Sequence, residues 1–273
     1  MSKLLWASIG FAIIAMACSA EVRHPNLADL YNGYAQHEDP WRNPIIVIPG
    51  LMGSRLVEPK SGKLVWGAFG VNQVDPNTAA GARLIALPIH HDATFESAQN
   101  IVAHSMGGLV ARYFLRYGSA ELPLDGSVPA PTWAGAPYIE NFIMIGTPNG
   151  GSQDSLVHLT EGYRPSFLYS RYSPTVLGTF PSLYQMLPRG RHHALVGVSG
   201  QPVTDLFDVE LWQSNGWGLA DPKEAENLKM ILPQVEEPGE QRRIALSYQA
   251  RVLQQARQFT EAMDLPAKPP ENV

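Results

Sequence analysis

The chain has 273 residues, a formal net charge of −5 and 16% charged residues, with no cluster of Lys and Arg, which excludes nucleic-acid binding. Its 24 Gly and 23 Pro are typical of a loop-rich α/β protein and exclude a coiled coil. A single Cys provides neither a disulfide nor a Cys-based zinc site, and we predict no metal and no cofactor.

The first predicted element is an export signal over residues 1–17. Lys3 supplies a short positive region, and the apolar run Leu4–Ala17 is shorter than the about 20 residues of a membrane span. Cys18 follows directly, where a bacterial lipoprotein signal places its lipidated cysteine. We therefore predict export to the cell envelope or secretion, and whether Cys18 carries a lipid stays open.

The segment Pro44–Leu56 predicts the first strand of a parallel sheet. Its β-branched run is continuous, as in a strand that is buried on both faces, and it ends in a tight loop with two glycines. A second strand is predicted immediately before Ser105, and a third at Asn141–Ile145. The Gly-rich loop after the third strand lacks the Lys of a phosphate-binding loop.

The segment Asn100–Leu115 has the pattern of a nucleophile elbow. A short apolar strand runs into Ser105 and then directly into a helix, which exposes a serine hydroxyl on a strained turn. Gly107 and Gly108 lack the Cβ atoms that would clash where strand and helix pass closely. We predict Ser105 as a catalytic nucleophile; the alternative is an ordinary glycine-rich turn with a passive serine.

Two backbone N–H groups are predicted to form an oxyanion hole. Met106 follows the nucleophile at the positive end of its helix, and Leu51 lies in the loop after the first strand. The alternative for Leu51 is an ordinary turn after a core strand.

Beyond the third strand, aromatic and Pro-rich residues predominate up to about residue 236. These aromatics either present an apolar surface to lipid or form core. The segment Glu240–Asp264 then predicts an amphipathic helix. Its apolar stripe comprises Ile244, Tyr248, Val252, Ala256, Phe259 and Met263.

Together these motifs resemble the lecithin–cholesterol acyltransferase-like family of α/β-hydrolases, in a bacterial version. The resemblance implies an α/β-hydrolase-type parallel sheet with a cap region, and an acyl-enzyme on Ser105 whose acyl group passes to water or an alcohol. It also implies a lipid or ester substrate and a membrane surface as partners. The matching segments are Pro49–Leu56, Val102–Tyr113, Ile145–Ser152, Phe180–Pro188 and Asp205–Asp208.

On this basis we divide the chain into a signal peptide (1–17), a hydrolase core (26–151), a cap region (152–236), and a core-packing helix with a Pro-rich tail (237–273). The family's triad Asp, in a Gly-Asp-Gly-Thr-like turn, and its late His have no counterpart in the sequence. We expect the late strands and a segment before Asn100 to be missing. An unpaired sheet edge and an exposed apolar stripe on the last helix would follow.

We assign no catalytic acid or base. Strand alternation predicts that His104 points away from Ser105 and packs or hydrogen-bonds. His192 and His193 are predicted to be surface residues, and Asp205 and Asp208 match cap positions.

The sequence leaves three functions open. The first is a serine-nucleophile lipid acyl hydrolase or O-acyltransferase. The second is a catalytically silent, truncated homologue or pseudoenzyme that binds lipid or a partner. The third is a secreted esterase for small soluble esters, and the oligomeric state is not predicted.

Overall fold

The computed structural model describes residues 45–50, 53, 56–57, 64–66, 77–79, 100–165 and 169–270. All of them belong to one structural unit that spans residues 43–273. The predicted signal peptide (1–17), Cys18 and Leu51 lie outside the described residues. The predictions made for them therefore stay predictions.

A small parallel sheet carries the predicted elbow. Its strands are β1 (Ile45–Ile48), β4 (Asn100–His104) and β5 (Asn141–Ile145), in the order β1-β4-β5. Two short strands, β2 (Leu56–Val57) and β3 (Leu64–Trp66), form a separate antiparallel pair. The three predicted strands and the α/β class are confirmed, and the carboxyl ends of the parallel strands meet at one edge. The prediction that the first strand is buried on both faces was wrong, because Ile46 and Val47 are 37% and 46% exposed.

One helix, α1 (Met106–Tyr117), covers one face of this sheet. Ala111 and Leu115 of α1 pack against Ile101 and Ala103 of β4 in a small apolar cluster. Ala103 is completely buried, whereas β5 is largely exposed. Of the described helices, α1 is the one that packs on the sheet.

The other helices of the described residues form a layer on the other side of α1. They are α2 (Gln153–Glu161), α3 (Pro174–Leu177), α4 (Pro181–Gln185), α5 (Val209–Asn215), α6 (Ala225–Ile231) and α7 (Pro238–Asp264). Short 3₁₀ turns occur at Ala136–Tyr138, Gly190–His192, Gly218–Ala220 and Pro222–Glu224. None of the described helices is both long and apolar enough to cross a membrane.

The aromatic residues of this layer are mainly core. Tyr184 and Trp212 are fully buried and pack against each other, with ring centroids 5.5 Å apart. The Trp212 indole N–H donates to the carbonyl of Leu206 at 2.8 Å, so its polar atom is satisfied. Of the two interpretations left open for the aromatics, core therefore holds for this pair.

Helix α7 begins two residues earlier than predicted. Pro238 occupies its first position, where a missing N–H costs nothing, and the Glu237 carboxylate accepts from the Glu240 N–H at 2.6 Å. Most of its predicted apolar stripe is buried in the core of the helical layer. The expectation of an exposed stripe was wrong, because α3 to α6 and α1 supply an apolar partner for α7.

Three side chains of α1 form hydrogen bonds with backbone carbonyls at the C-terminal end of α7. Arg112 donates to the carbonyl of Met263, Arg116 to that of Leu265, and the Tyr117 hydroxyl to that of Ala262, at 2.6, 2.6 and 2.7 Å. The last carbonyls of a helix have no partner within it, and its C-terminal end attracts cations. These bonds therefore fix α1 against the helical layer.

Candidate active site

Ser105 sits on the strained strand-to-helix turn that the sequence predicts. It follows β4 directly and precedes α1, with φ 53° and ψ −127°. A positive φ is uncommon for a residue other than glycine, and such strain is often found at functional sites. The geometry is that of a nucleophile elbow, while the role of Ser105 as nucleophile stays a prediction.

Backbone hydrogen bonds on both sides hold this turn. The Ser105 N–H donates to the carbonyl of Ile145 at 2.8 Å, which extends the pairing of β4 and β5 by one residue. The Gly108 N–H donates to the Ser105 carbonyl at 3.0 Å and closes the first turn of α1. The position of Ser105 is thus set by the sheet and the helix together.

The two glycines after Ser105 allow this close approach, as the sequence predicts. A Cβ on Gly107 would lie 2.5 Å from the carbonyl oxygen of Ile48, at the end of β1. A Cβ on Gly108 would overlap the Thr147 side chain, in the loop after β5. A side chain at either position would push α1 away from the sheet.

A small space beside Gly50 is bordered by two polar groups. A Cβ on Gly50 would lie 3.2 Å from the Ser105 hydroxyl oxygen and 3.3 Å from Nδ1 of His104. His104 is exposed, so the prediction that it packs was wrong, and its position beside Gly50 with the Ser105 hydroxyl contradicts the prediction that it points away from Ser105. The alternative that it forms a hydrogen bond stays a prediction. The positive φ of Ser105 ends the alternation of the strand, which places both side chains beside Gly50.

One of the two predicted oxyanion donors belongs to the described part of the chain. Met106 is the first residue of α1, and the N–H groups of the first helical turn have no acceptor within the helix. This N–H is therefore available to an oxyanion, and the positive end of the helix dipole reinforces it. The role of Met106 stays a prediction, as does that of Leu51.

Among the described residues, no side chain forms a hydrogen bond with the Ser105 hydroxyl. The loop after β5 leads away from it along α1: Thr147 lies beside Gly108, and the Asn149 side chain accepts from Arg112 at 2.9 Å. With a rise of 1.5 Å per residue, Arg112 is about 10 Å from Ser105 along the helix axis. The loop therefore brings no base to the serine.

The His192 side chain, from the 3₁₀ turn at Gly190–His192, lies beside Gly150 of this loop. Both His192 and His193 are exposed, which confirms their prediction as surface residues. Asp205 accepts from Arg257 at 2.8 Å, and Asp208 caps α5 by accepting from the Glu210 N–H at 3.0 Å. These carboxylates stabilise the helical layer.

An apolar groove that the sequence analysis did not predict runs along α1 from the elbow. Met106, Leu109, Val110 and Tyr113 line one side of a cavity of about 600 Å³. Their i, i+3, i+4, i+7 spacing is a helix-face pattern that was visible in the sequence. This spacing could have predicted an apolar face on α1. It could not have predicted the opposite wall, because residues 120–126 and α7 reach that position only through the tertiary fold.

Tyr113 is one of the residues that line this groove. Its ring stacks on Phe259 of α7 with centroids 5.6 Å apart, and its hydroxyl donates to the Ala120 carbonyl at 3.0 Å. Burial, and then the neighbouring Tyr117 and Glu121, raise the pKa of Tyr113 to about 12. The Tyr113 side chain is therefore neutral across the physiological range.

Comparisons with known proteins give one family match. The family model of lecithin:cholesterol acyltransferase matches residues 89–234, more than half of the chain. A chain in the crystal structure of the Tle4-Tli4 complex is 15% identical, with a TM-score of 0.36. The match covers 57% of this chain and 32% of that one, so this chain spans about a third of the solved chain's length. The comparison with curated proteins gives no match.

Proposed function

This chain belongs to the lecithin:cholesterol acyltransferase family, and on that premise we propose that it is a serine acyl hydrolase or O-acyltransferase that acts on lipid esters. The observation that carries the proposal is the strained turn at Ser105. Its positive φ and its backbone hydrogen bonds with Ile145 and Gly108 hold the serine between the end of β4 and the start of α1. A serine on such a turn supports acyl transfer through an acyl-enzyme.

The proposed reaction has two steps. The Ser105 hydroxyl oxygen attacks the ester carbonyl carbon, and the Met106 N–H stabilises the oxyanion of the tetrahedral intermediate. The bond to the alcohol then breaks, and the serine proton ends on the departing alcohol. Water or a second alcohol attacks the acyl-enzyme, returns a proton to Ser105, and leaves with the acyl group.

The expected rate is low because the described residues place no base at Ser105. Loss of the base from a catalytic serine costs on the order of 10⁶ in rate in serine hydrolases. We therefore expect the purified chain to turn over esters barely above background.

Because the described residues place no base at Ser105, a second candidate is a catalytically silent, truncated homologue or pseudoenzyme that binds lipid or a partner. The two candidates share the elbow and differ in whether the Ser105 hydroxyl reacts. We place either activity at the cell envelope or outside the cell, on the strength of the predicted export signal over residues 1–17 and the Cys18 that follows it.

Labelling with a fluorophosphonate probe tests the proposal. We expect slow labelling of the parent chain that Ser105→Ala abolishes. Ser214→Ala, at an exposed serine on α5, is the matched control and should label as the parent does. A folded parent chain that does not label at all would reject the acyl-enzyme and leave the silent homologue.

A further inference from the structure

We propose that a hairpin with two outward valines, residues 195–203, docks this chain on an anionic lipid surface. The inference rests on the proposed function, because a lipid ester is reached at such a surface. It adds the element that makes the contact and the sign of the lipid charge, and neither of these follows from the site at Ser105. We call this element the valine hairpin.

Backbone hydrogen bonds build the valine hairpin. The Val203 N–H donates to the Leu195 carbonyl at 2.8 Å, and the Gly197 N–H donates to the Gln201 carbonyl at 2.9 Å. At the tip, the Gly200 N–H donates to the Gly197 carbonyl at 2.9 Å and closes the turn. Because these polar groups are paired within the hairpin, bringing the tip next to an apolar phase costs less free energy than it would for an open loop.

The two valines of the hairpin point into water. Val198 is completely exposed and Val196 is 57% exposed, and the alternation of an extended segment places both on one face. Leu195, on the opposite face, is half-buried and lines a cavity of the helical layer. A Cβ on Gly200 would meet nothing within 4 Å, so the tip projects from the described part of the chain. The hairpin therefore presents an apolar face that a flat partner can reach.

The charge beside the hairpin indicates the chemistry of that partner. Residues 189–204 contain two Arg and two His and no carboxylate, although the whole chain has 25 acidic and 20 basic residues. Arg189 and Arg191 both bind the carboxylate of Asp264, so these three groups together keep one positive charge. Arg191 is 57% exposed. A positive charge beneath an apolar tip is complementary to a lipid surface with anionic headgroups.

The basic segment is packed against the base of the hairpin and against the sheet edge. A Cβ on Gly190 would overlap the carbonyl of Thr204, where the chain leaves the hairpin. The Arg189 N–H donates to the carbonyl of Gly150, in the loop after β5. That loop starts at the carboxyl end of the parallel sheet, the edge that also carries Ser105. The hairpin is thus attached to the same edge of the sheet as the serine.

A second side chain is almost as exposed as Val198 but has the opposite charge around it. Leu124, in the segment after α1, is 90% exposed. It lies between Glu121 and Asp125 in the sequence, and both of these carboxylates are exposed. An anionic surface repels them. Leu124 is therefore the control position for the hairpin.

Insertion of the tip is measured with the fluorophore nitrobenzoxadiazole on a single cysteine. Val198→Cys, or Leu124→Cys as the control, is placed in the full chain with Ser105→Ala and with Cys18→Ser, which removes the one native cysteine. The probes are vesicles of phosphatidylcholine alone and of an equimolar mixture with phosphatidylglycerol. With the mixed vesicles, we expect the label at position 198 to shift its emission to the blue and to be quenched by doxyl-labelled lipid. The label at position 124 should keep the emission of the dye in water.

Val196→Asp tests the apolar contact in the chain labelled at position 198. It should weaken binding to the mixed vesicles about tenfold, because burial of a valine contributes about that factor. Val110→Asp is the matched control, since Val110 is 52% exposed on α1, and it should bind as the labelled parent does. Equal binding by the two variants would overturn the proposal.

Arg191→Gln tests the charge. It should weaken binding to the mixed vesicles about fivefold and leave binding to phosphatidylcholine alone unchanged. Arg243→Gln is the matched control, because Arg243 is also exposed and also pairs with a carboxylate. Equal effects of the two substitutions, or equal binding of the labelled parent to both kinds of vesicle, would reject the anionic surface.

Two further outcomes would overturn the proposal as a whole. Labels at positions 198 and 124 that respond alike would show that the hairpin is not the contact. A blue shift at position 198 that grows with protein concentration without vesicles, and does not respond to them, would assign the hairpin to a contact between copies of this chain.

The results separate this inference from the proposed function, because docking is measured without the serine. Hairpin-dependent docking, with no fluorophosphonate labelling of the parent chain, would keep the docking surface and reject the acyl-enzyme. Labelling of Ser105 without hairpin-dependent docking would reject the docking surface alone.

Discussion

The sheet and the helical layer differ in how much of their apolar surface they bury. In the helical layer Trp212 and Leu253 are completely buried, whereas Ile143 and Ile145 of β5 are 54% and 50% exposed. The serine is attached to the less protected of the two regions. Stability and chemistry are therefore carried by different parts of the chain, and α1 joins them.

Helix α1 shows how the two regions are connected. Ala111 and Leu115 face the sheet, while Leu109 belongs to the core of the helical layer. In the described part of the chain, β5 pairs with β4, which in turn pairs with β1. The elbow is thus supported from the helix side more than from the sheet side.

The largest expected effect is the loss of a buried side chain from the helical layer. Trp212→Ala removes a fully buried indole, and we expect it to lower the free energy of unfolding by about 3–5 kcal/mol. The matched change in the sheet, Ile143→Ala, should cost less than about 1 kcal/mol, because that side chain is half exposed. Urea unfolding followed by circular dichroism measures both, and similar losses would contradict the comparison.

The second effect concerns the contact between the two regions. Gly107→Ala places a methyl group against the Ile48 carbonyl, so α1 must move away from β1. We expect fluorophosphonate labelling of Ser105 to fall to the level of Ser105→Ala, while the near-UV circular dichroism of the buried aromatics stays close to that of the parent. Ala111→Gly, which removes a methyl group from the same sheet-facing side of α1 instead of adding one, serves as the control. Labelling of Gly107→Ala at the parent's rate would contradict the close contact.

The smallest effect tests the polar link between α1 and the helical layer. Arg112 donates to Asn149 and to the Met263 carbonyl, and its burial, followed by the nearby Arg116, lowers its pKa. Arg112→Ala should cost about 1.5–3 kcal/mol, as is typical when a charged hydrogen-bonding group is removed.

An arginine on the surface of α7 is the control for Arg112. Arg243 pairs with Glu240 on the exposed surface, where ion pairs contribute little, so Arg243→Ala should cost clearly less than Arg112→Ala. Urea unfolding measures both variants. Equal costs would mean that the bonds of Arg112 do not hold α1 in place.

The elements that sequence predicts here are those with a strong local pattern. The β-branched run at Ile45–Ile48, the strand before Ser105, and the apolar stripe of α7 each determine their structure over a few residues. The same holds for Gly107 and Gly108, whose missing side chains indicated a close contact. Each of these patterns is local, and the structure confirms it.

The features that sequence did not predict depend on distant contacts. The groove requires α1, the loop 120–126 and α7 to come together, and α1 and α7 are more than a hundred residues apart in the chain. His104 was assigned by strand alternation, which fails where the backbone turns at Ser105. The oxyanion role of Leu51, outside the described residues, stays a prediction.

The bonds between α1 and the end of α7 have a consequence for the order of folding. They join residues 145 to 151 positions apart in the chain. Contacts of such long separation form late, because a large loop must close before they contribute. During synthesis, α1 leaves the ribosome well before the carbonyls at the end of α7, so the attachment of α1 to the helical layer is completed only when the last helix docks.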